Sequence, residues 1–213
     1  MNIALVLLPL LLILTLRFYN PKIKGIIGEK TVSSILYLLD KSNYKIINNI
    51  VLKYGNSTTQ IDHIVLSDFG IFVVETKNYK GWIFGNENSE YWTQVLFKRK
   101  EKFYNPIRQN SSHIRALKTY LSGYPNLEYI SIIVFSSRAE IKVNTITDVV
   151  YSYKIIPTIK KYSKINLTKN EKEGIFQKIN EHNLIKTYDK KEHVKSIKEK
   201  INNRYEIQNT NKF

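Results

Sequence analysis

The spacing of apolar residues divides the chain into predicted helices and strands. Val32, Leu36 and Leu39 recur at helical spacing, which predicts a first helix. Strand-like runs follow at residues 44–52, 60–66, 71–77, 81–85, 91–96 and 129–135, with a second helix between Asn105 and Gly123. The run at 129–135 is almost continuously apolar, as expected for a strand that is covered on both faces. Helices and strands therefore alternate, which indicates an α/β fold.

The C-terminal part of the chain carries a weaker pattern. Residues 149–156 are predicted to form one more strand, and residues 157–164 a short helix. Thr168 and Glu171 have the spacing of a capping box, which predicts that another helix begins there. The last stretch is rich in Lys, Glu and Asn and is expected to form a marginal helix with a frayed end. We therefore assign residues 166–213 to a helical, Lys-rich extension.

The N-terminal segment from Ile3 to Leu16 is almost wholly aliphatic and contains no charge. As a helix, the first sixteen residues span about 24 Å, against roughly 30 Å for the hydrocarbon core of a bilayer. Because it is apolar on every side, we expect a membrane-anchor helix at residues 1–19 and a linker at residues 20–24. A buried core helix is the alternative, whereas a cleaved signal peptide would need a basic start and a small-residue cleavage site.

The charges around this segment predict its orientation. Arg17, Lys22 and Lys24 follow the apolar run, and no basic residue precedes it. The positive-inside rule then places the globular part in the cytoplasm. The expected location is the cell membrane, which the chain crosses once.

Residues 60–77 predict a β-hairpin whose register can be derived. Its loop is the four-residue segment 67–70, which consists of turn-forming residues. Pairing of Leu66 with Ile71 fixes the other pairs on the same face, which are Ile64 with Val73, Asp62 with Glu75, and Gln60 with Lys77. The aliphatic side chains are expected to pack beneath a helix. The polar ones would then lie together at the open end of that face.

The predicted pairing of Asp62 with Glu75 needs compensation. Directly opposed residues have Cβ atoms about 5 Å apart, and like charges there destabilise a sheet. Three arrangements remove the conflict: one carboxyl group holds a proton, Lys77 neutralises the pair, or a divalent cation binds between them. A surface salt-bridge ladder closed by Lys77 is the purely structural interpretation. The hairpin alone leaves these interpretations open.

Composition narrows the chemistry further. The chain has 33 Lys and Arg against 18 Asp and Glu, a net charge of +15, which favours anionic partners such as nucleic acids or lipid head groups. The absence of cysteine excludes disulfides, thiolate metal sites and Cys nucleophiles. The four histidines show no paired metal-ligand spacing. A bound metal would therefore have oxygen ligands, which indicates Mg²⁺ or Mn²⁺ rather than Zn²⁺.

Three further features can be interpreted from their positions. The segment 97–104 interleaves aromatic residues with cations, which is typical both of nucleic-acid contacts and of a solvated hairpin end; the cations are Lys98, Arg99, Lys100 and Lys102. Glu29 lies on the apolar stripe of the first helix, where an interaction with the helix dipole is the simpler interpretation. Strand alternation turns His63 away from Asp62, so we expect His63 to be structural.

Several short blocks occur in a characteristic order between residues 25 and 135. They are Gly28-Glu29, Gln60-Ile61-Asp62-His63-Ile64, the run 70–81, Trp92-Thr93-Gln94, and Asn105-Pro106-Ile107-Arg108-Gln109-Asn110. In these blocks the chain resembles the nuclease-related domain family, NERD, which is grouped with the PD-(D/E)xK nuclease superfamily. The resemblance implies a restriction-endonuclease-like core, a mixed β-sheet flanked by helices, in a domain at residues 25–165. Ile61 stands where the superfamily name has proline, as in other NERD members.

The resemblance implies roles for individual residues. Asp62 and Glu75 would hold the metal, with the main-chain carbonyl of Thr76 as a further ligand. Lys77 would orient the attacking water and offset charge on the phosphate. These are the groups that metal-assisted phosphodiester hydrolysis requires.

The remaining site residues also follow from the resemblance. Glu29 would complete the acidic cluster, which replaces the helix-dipole interpretation. Gln94 would position water or phosphate, and Arg108 and Gln109 would contact the nucleic acid.

The expected function is metal-dependent hydrolysis of nucleic acid, with a DNA endonuclease as the leading hypothesis. A homodimer is a further expectation, because many nucleases of the superfamily act as dimers. The runner-up is a non-cleaving nucleic-acid-binding or membrane-assembly module that keeps the fold. The intact Asp62, Glu75 and Lys77 favour the enzyme, because a non-cleaving relative can lose them without losing its fold.

Overall fold

A computed structural model describes residues 21–165 and 167–186 of the chain. The helices are α1 (Pro21–Leu36), α2 (Pro106–Tyr120), α3 (Ile155–Lys160) and α4 (Lys169–Glu181). The strands are β1 (Lys45–Tyr54), β2 (Ser57–Ser67), β3 (Gly70–Lys77), β4 (Gly81–Asn86), β5 (Tyr91–Leu96), β6 (Arg99–Tyr104), β7 (Tyr129–Phe135), β8 (Ala139–Asn144) and β9 (Asp148–Tyr151). The predicted membrane anchor and most of the C-terminal extension lie outside the described residues. Within the described part, no helix has the length and apolar character needed to cross a membrane.

The first sheet has five strands in the order β1-β2-β3-β7-β9. β1, β2 and β3 are antiparallel neighbours, whereas β7 and β9 run parallel to β3. Helices α2 and α4 cover one face, and α1 and α3 cover the other. The predicted aliphatic face of the hairpin is confirmed, because its four residues lie in one buried cluster with Leu117 of α2 and with Leu121, the residue that caps this helix; they are Ile64, Leu66, Ile71 and Val73.

A second sheet of four strands has the order β6-β5-β4-β8. Its inner face packs Ile83 and Trp92 against Ile133 and Phe135 of β7. The rings of Trp92 and Phe135 are stacked, with centroids 6.3 Å apart. The Trp92 ring also lies directly on Gly85, where any side chain would overlap it. The mixed α/β class is confirmed, but the expected single sheet is divided into two.

Two elements after β7 differ from the predictions. β8 was not predicted, because its alternating pattern is short and its parallel partner β4 is far away in sequence. The predicted strand at 149–156 ends at Tyr151, and α3 begins at Ile155. A helix is favoured there because Ile155 and Ile159, four residues apart, both become buried on one face.

Helix α1 lies against the end of β3. It begins at Pro21, so most of the segment predicted as a linker is helical. A side chain at Gly28 would lie only 2.6 Å from Cβ of Asn78, so glycine permits the close approach of helix and strand. The Asn78 amide donates to the carbonyl of Lys24, and Arg138 donates to the Asn78 carbonyl oxygen at 2.8 Å. These contacts fix α1 beside the strand that carries Glu75.

Candidate active site

The regular hairpin register ends just before the predicted carboxylate pair. The predicted pairs of Leu66 with Ile71 and of Ile64 with Val73 are confirmed, and the ladder continues to His63 and Val74. At the next step, Oδ2 of Asp62 accepts the backbone N–H of Thr76 at 2.8 Å. A side chain therefore bridges the strands where a main-chain pair was expected.

Strand alternation is interrupted at Asp62. Ile61 lies in the same buried cluster as Ile64, although regular alternation places these residues on opposite faces. The neighbouring strand has Asn49 at this point, with a left-handed φ of 54°. Beyond the interruption, Gln60 lines a cavity of about 240 Å³ on the α1 side. The expectation that Gln60 lies beside Lys77 is therefore wrong.

Glu75 is a buried carboxylate with two partners. Only 2% of the residue is exposed. Its Oε1 lies 2.6 Å from Nζ of Lys77, and its Oε2 lies 3.2 Å from Nε2 of His113. Burial alone would raise the pKa of Glu75, but the Lys77 charge and the His113 hydrogen bond outweigh it and lower the pKa to about 2. Glu75 is therefore ionised at neutral pH.

The pKa of Asp62 is shifted in the opposite direction. Burial and the charges of Glu75 and Glu29 raise the pKa of Asp62 well above its usual value. The Thr76 N–H and the more distant Lys77 only partly oppose that shift. Of the expected compensations, Lys77 forms an ion pair with Glu75, and the raised pKa of Asp62 is in the direction of a carboxyl group that holds a proton. A cation bound beside the two carboxylates would favour their ionised forms and so lower the pKa of Asp62.

Lys77 is held from two sides. Its Nζ donates to Glu75 and, at 2.9 Å, to Oε1 of Gln109 on α2. Burial would lower the pKa of Lys77, but the charge and hydrogen bond of Glu75, together with weaker contributions from Tyr79 and Asp62, outweigh it and raise the pKa. An ammonium group has three N–H donors, so one remains for water or substrate. The side chain as a whole is 16% exposed.

Helix α2 carries the partners of Glu75 and Lys77. Gln109 and His113 are four residues apart and therefore share one face of the helix. The predicted start of this helix is confirmed: the Asn105 side chain caps it by accepting the N–H of Ile107 at 2.9 Å, and Pro106 is its first residue. Asn110 donates to the carbonyl of Val73 at 2.7 Å, which ties the helix to β3.

His113 is a site residue that was not predicted. Its Nδ1 lies 2.7 Å from the hydroxyl of Thr59, and its Nε2 faces the Glu75 carboxylate. A carboxylate only accepts, so Nε2 donates to Glu75, whereas the Thr59 hydroxyl can either donate to Nδ1 or accept from it. The available sequence signal was the spacing of His113 four residues after Gln109. The cross-strand contacts that make this spacing relevant appear only in the folded chain.

His63 has the structural role that alternation predicted. Its Nδ1 lies 2.7 Å from Oδ1 of Asn48, whose amide donates to Ser33 of α1 and to Tyr37, which directly follows that helix. Burial lowers the pKa of His63 to about 4, so the ring is neutral at neutral pH. His63 therefore ties β2 to α1 through Asn48.

The other predicted site residues lie at varying distances from this cluster. Glu29 is near enough for its charge to raise the pKa of Asp62. Gln94 lies on the second sheet, where its amide donates to the carbonyl of Lys80 at 2.7 Å. Arg108 is exposed on α2 and donates to the carbonyl of Asn88. The predicted cations of the β5–β6 hairpin are all exposed; they are Lys98, Arg99, Lys100 and Lys102.

The donor set suits a hard divalent cation. Each Glu75 oxygen has one hydrogen-bonded partner and retains a free lone pair, and Asp62 is next to Thr76, whose carbonyl is the third predicted ligand. In the described part of the chain, no three His, Cys, Asp or Glu side chains converge as a complete metal cage. Mg²⁺ commonly binds through one or two carboxylates and keeps several waters, so two carboxylates are sufficient.

Comparison with known proteins identifies the family of the chain. Residues 24–136 match the family described as nuclease-related domain, NERD, and this match covers slightly more than half of the chain. An uncharacterized protein of Bacillus anthracis is 38% identical over 187 residues, which cover 85% of this chain and 87% of that protein. The matched region contains Asp62, Glu75, Lys77 and both of their α2 partners. The chain belongs to the nuclease-related domain family.

Proposed function

We propose that the chain is a nucleic-acid hydrolase of the PD-(D/E)xK type, with DNA as the expected substrate and Mg²⁺ or Mn²⁺ as cofactor. The observation that carries the proposal is the buried Glu75–Lys77 ion pair beside Asp62, whose pKa is raised. Carboxylic acids with shifted pKa values, next to a lysine that is fixed by hydrogen bonds, are typical of catalytic sites. A purely structural ion pair would need only Glu75 and Lys77. It would not need Asp62, whose ionisation is unfavourable at this position.

The residues of the site divide the work of phosphodiester hydrolysis. A bound divalent cation would polarise the phosphate and lower the pKa of a coordinated water. Asp62, Glu75 and the Thr76 carbonyl would hold that cation. Lys77, kept in place by Glu75 and Gln109, would donate its remaining N–H to the water or the scissile phosphate. His113 would orient Glu75, because its Nε2 donates to the carboxylate oxygen that Lys77 does not contact.

The surroundings of the domain complete the proposal. The apolar residues 1–19 would tether the domain to the cytoplasmic face of the cell membrane. Gln94 and Glu29 would act at the edge of the site, and the exposed cations would contact the phosphate backbone. A homodimer remains part of the proposal by analogy with the superfamily. The competing function, nucleic-acid binding without cleavage, would retain the basic surface and need no cation.

Plasmid cleavage tests the proposed function. The full-length protein is incubated with supercoiled DNA and Mg²⁺ or Mn²⁺, next to Asp62→Asn and Lys77→Ala. Lys53→Ala, an exposed lysine on β1, is the matched control. We expect metal-dependent nicking by the wild type and the control only. DNA binding without cleavage in either metal would favour the competing function, and equal cleavage by all variants would refute the assigned site.

A further inference from the structure

The outer face of the second sheet exposes four aromatic side chains. They are Trp82, Phe84, Tyr91 and Tyr104, with exposed fractions from 38% for Phe84 to 48% for Trp82. The strand register places them on one surface, because Tyr91 pairs directly with Tyr104 and Phe84 pairs with Thr93, two residues after Tyr91. A contiguous exposed aromatic patch of this kind usually marks a binding surface.

The four rings form two pairs. Trp82 and Phe84 meet edge to face with centroids 6.3 Å apart, and Tyr91 and Tyr104 meet edge to face at 6.1 Å. None of these rings is needed for the core, since the inner face of the same sheet already buries Ile83 and Trp92. Exposed aromatic rings are what unpaired nucleobases stack on.

Lysines flank these rings on both sides. One cross-strand row runs from Lys142 through Phe84 and Thr93 to Lys102. At about 4.8 Å between strands, that row is roughly 14 Å wide. The next row ends in Lys100, and Nζ of Lys142 lies 4.8 Å from the Trp82 ring centroid. Three lysines thus share the face with one acidic residue.

That acidic residue is Glu140, which pairs with Lys142 at 2.9 Å. Lys100 and Lys102 remain as exposed cations on the opposite edge. The face therefore combines net positive charge with aromatic surface. Lysine is depleted at protein–protein interfaces, so this combination fits a polyanion with exposed bases better than a second copy of the chain.

We propose that the outer face of the second sheet binds single-stranded nucleic acid. Bases would stack on Trp82, Phe84 and the tyrosine pair, while Lys100, Lys102 and Lys142 contact phosphates. A duplex keeps its bases stacked inside and presents none to a flat aromatic surface. The proposal deepens the proposed nuclease function, on which it rests for its substrate class, by assigning the strand form that the domain captures.

The face is close to the candidate active site. Trp82 follows Lys77 by five residues, so their Cα atoms lie at most roughly 18 Å apart. Gln94 and Lys80, which are joined by a hydrogen bond of 2.7 Å, lie at the same end of the second sheet. A strand bound on the outer face therefore needs only a few nucleotides to reach Lys77.

Fluorescence anisotropy tests the proposal without cleavage. The full-length chain is titrated in EDTA with a labelled oligo-dT and with a duplex of equal length. We expect tighter binding of oligo-dT, about tenfold or more weaker binding for Trp82→Ala, and near wild-type binding for Trp82→Tyr. Tyr54→Ala, which removes a ring of similar exposure from β1, is the matched control and should bind normally.

Other outcomes would overturn the proposal. These are preferred binding of the duplex, equal binding by Trp82→Ala, or a Trp82→Ala effect confined to the oligomeric state in sedimentation, which would assign the face to a second copy of the chain. Because EDTA removes cleavage from the measurement, an inactive protein that still shows this pattern refutes only the nuclease function. An active nuclease without this pattern refutes only the single-strand surface.

Discussion

The five-stranded sheet is covered by helices on both faces, whereas the described part of the chain covers only the inner face of the four-stranded sheet. The first sheet buries ionisable groups among aliphatic residues, with Glu75 and Lys77 at its open end. The second sheet keeps its interior apolar and places its charges and several aromatic rings outside. Buried charge is costly and therefore indicates chemistry, whereas exposed aromatic surface indicates binding.

The largest expected effect separates the two faces of the second sheet. Trp92→Ala removes a fully buried ring that stacks on Phe135, and should cost about 3–5 kcal/mol of stability. Trp82→Ala removes a half-exposed ring and should change stability by no more than about 0.5 kcal/mol. Thermal or denaturant unfolding of both variants measures the contrast. Equal costs would mean that the outer face is covered in solution.

The next effect concerns activity at the first sheet. Lys77→Met removes the ammonium group that Glu75 and Gln109 hold, and should reduce cleavage by about 10²–10³-fold. The matched variant Lys142→Met lies on the second sheet and should weaken single-strand binding without a comparable loss of turnover at saturating DNA. Single-turnover cleavage with both variants tests whether cleavage depends on the first sheet and binding on the second. A similar loss in turnover for both would contradict it.

Opposite stability effects are expected for the two carboxylates. Glu75→Gln removes the partner of a buried lysine and should cost on the order of 2 kcal/mol, less than a fully buried pair because Gln109 still contacts Lys77. Asp62→Asn removes an unfavourable ionisation and should gain on the order of 1 kcal/mol, about 2–4 °C in Tm. Repulsion between the two carboxylates, taken alone, would instead leave both variants more stable than the wild type. Melting curves at neutral pH without metal distinguish the two accounts.

The smallest effect is a pH dependence of the Asp62→Asn gain. Because the pKa of Asp62 is higher in the folded than in the unfolded chain, its stabilising effect is complete below about pH 4 and is lost as pH rises through the folded-state value. The Tm advantage of Asp62→Asn should therefore be near zero at about pH 4 and grow toward pH 8. Glu75, with its lowered pKa, affects both proteins alike as the pH falls toward about 2. A Tm difference that stays constant with pH would show that the pKa of Asp62 is not shifted in the folded chain.

Local patterns were sufficient to predict much of the fold and the acidic part of the site. The hairpin loop and the alternation of β3 gave the pairing of Ile64 with Val73, and the Asn105-Pro106 start placed Gln109 on a helix. Such features depend on residues close together in sequence. The same holds for the capping box at Thr168, which the structure confirms.

The remaining features depend on contacts between distant segments. His113 becomes a site residue only because α2 packs across Thr59 and Glu75. The displacement of Gln60 coincides with the left-handed φ of Asn49 on the neighbouring strand, which alternation rules do not anticipate. The second sheet depends on the pairing of β4 with β8, which are separated by the whole of α2 and β7.

Binding of Mn²⁺ tests the central claim most directly, because the site must accept a cation if Asp62 and Glu75 serve hydrolysis. Calorimetric titration of the full-length protein at pH 7.5 should show binding by the wild type and by Lys77→Met. It should show at least a tenfold loss of affinity for Asp62→Asn. Binding that is equal in the wild type and Asp62→Asn would contradict the assigned site, as would a wild type that binds no Mn²⁺ even with DNA present.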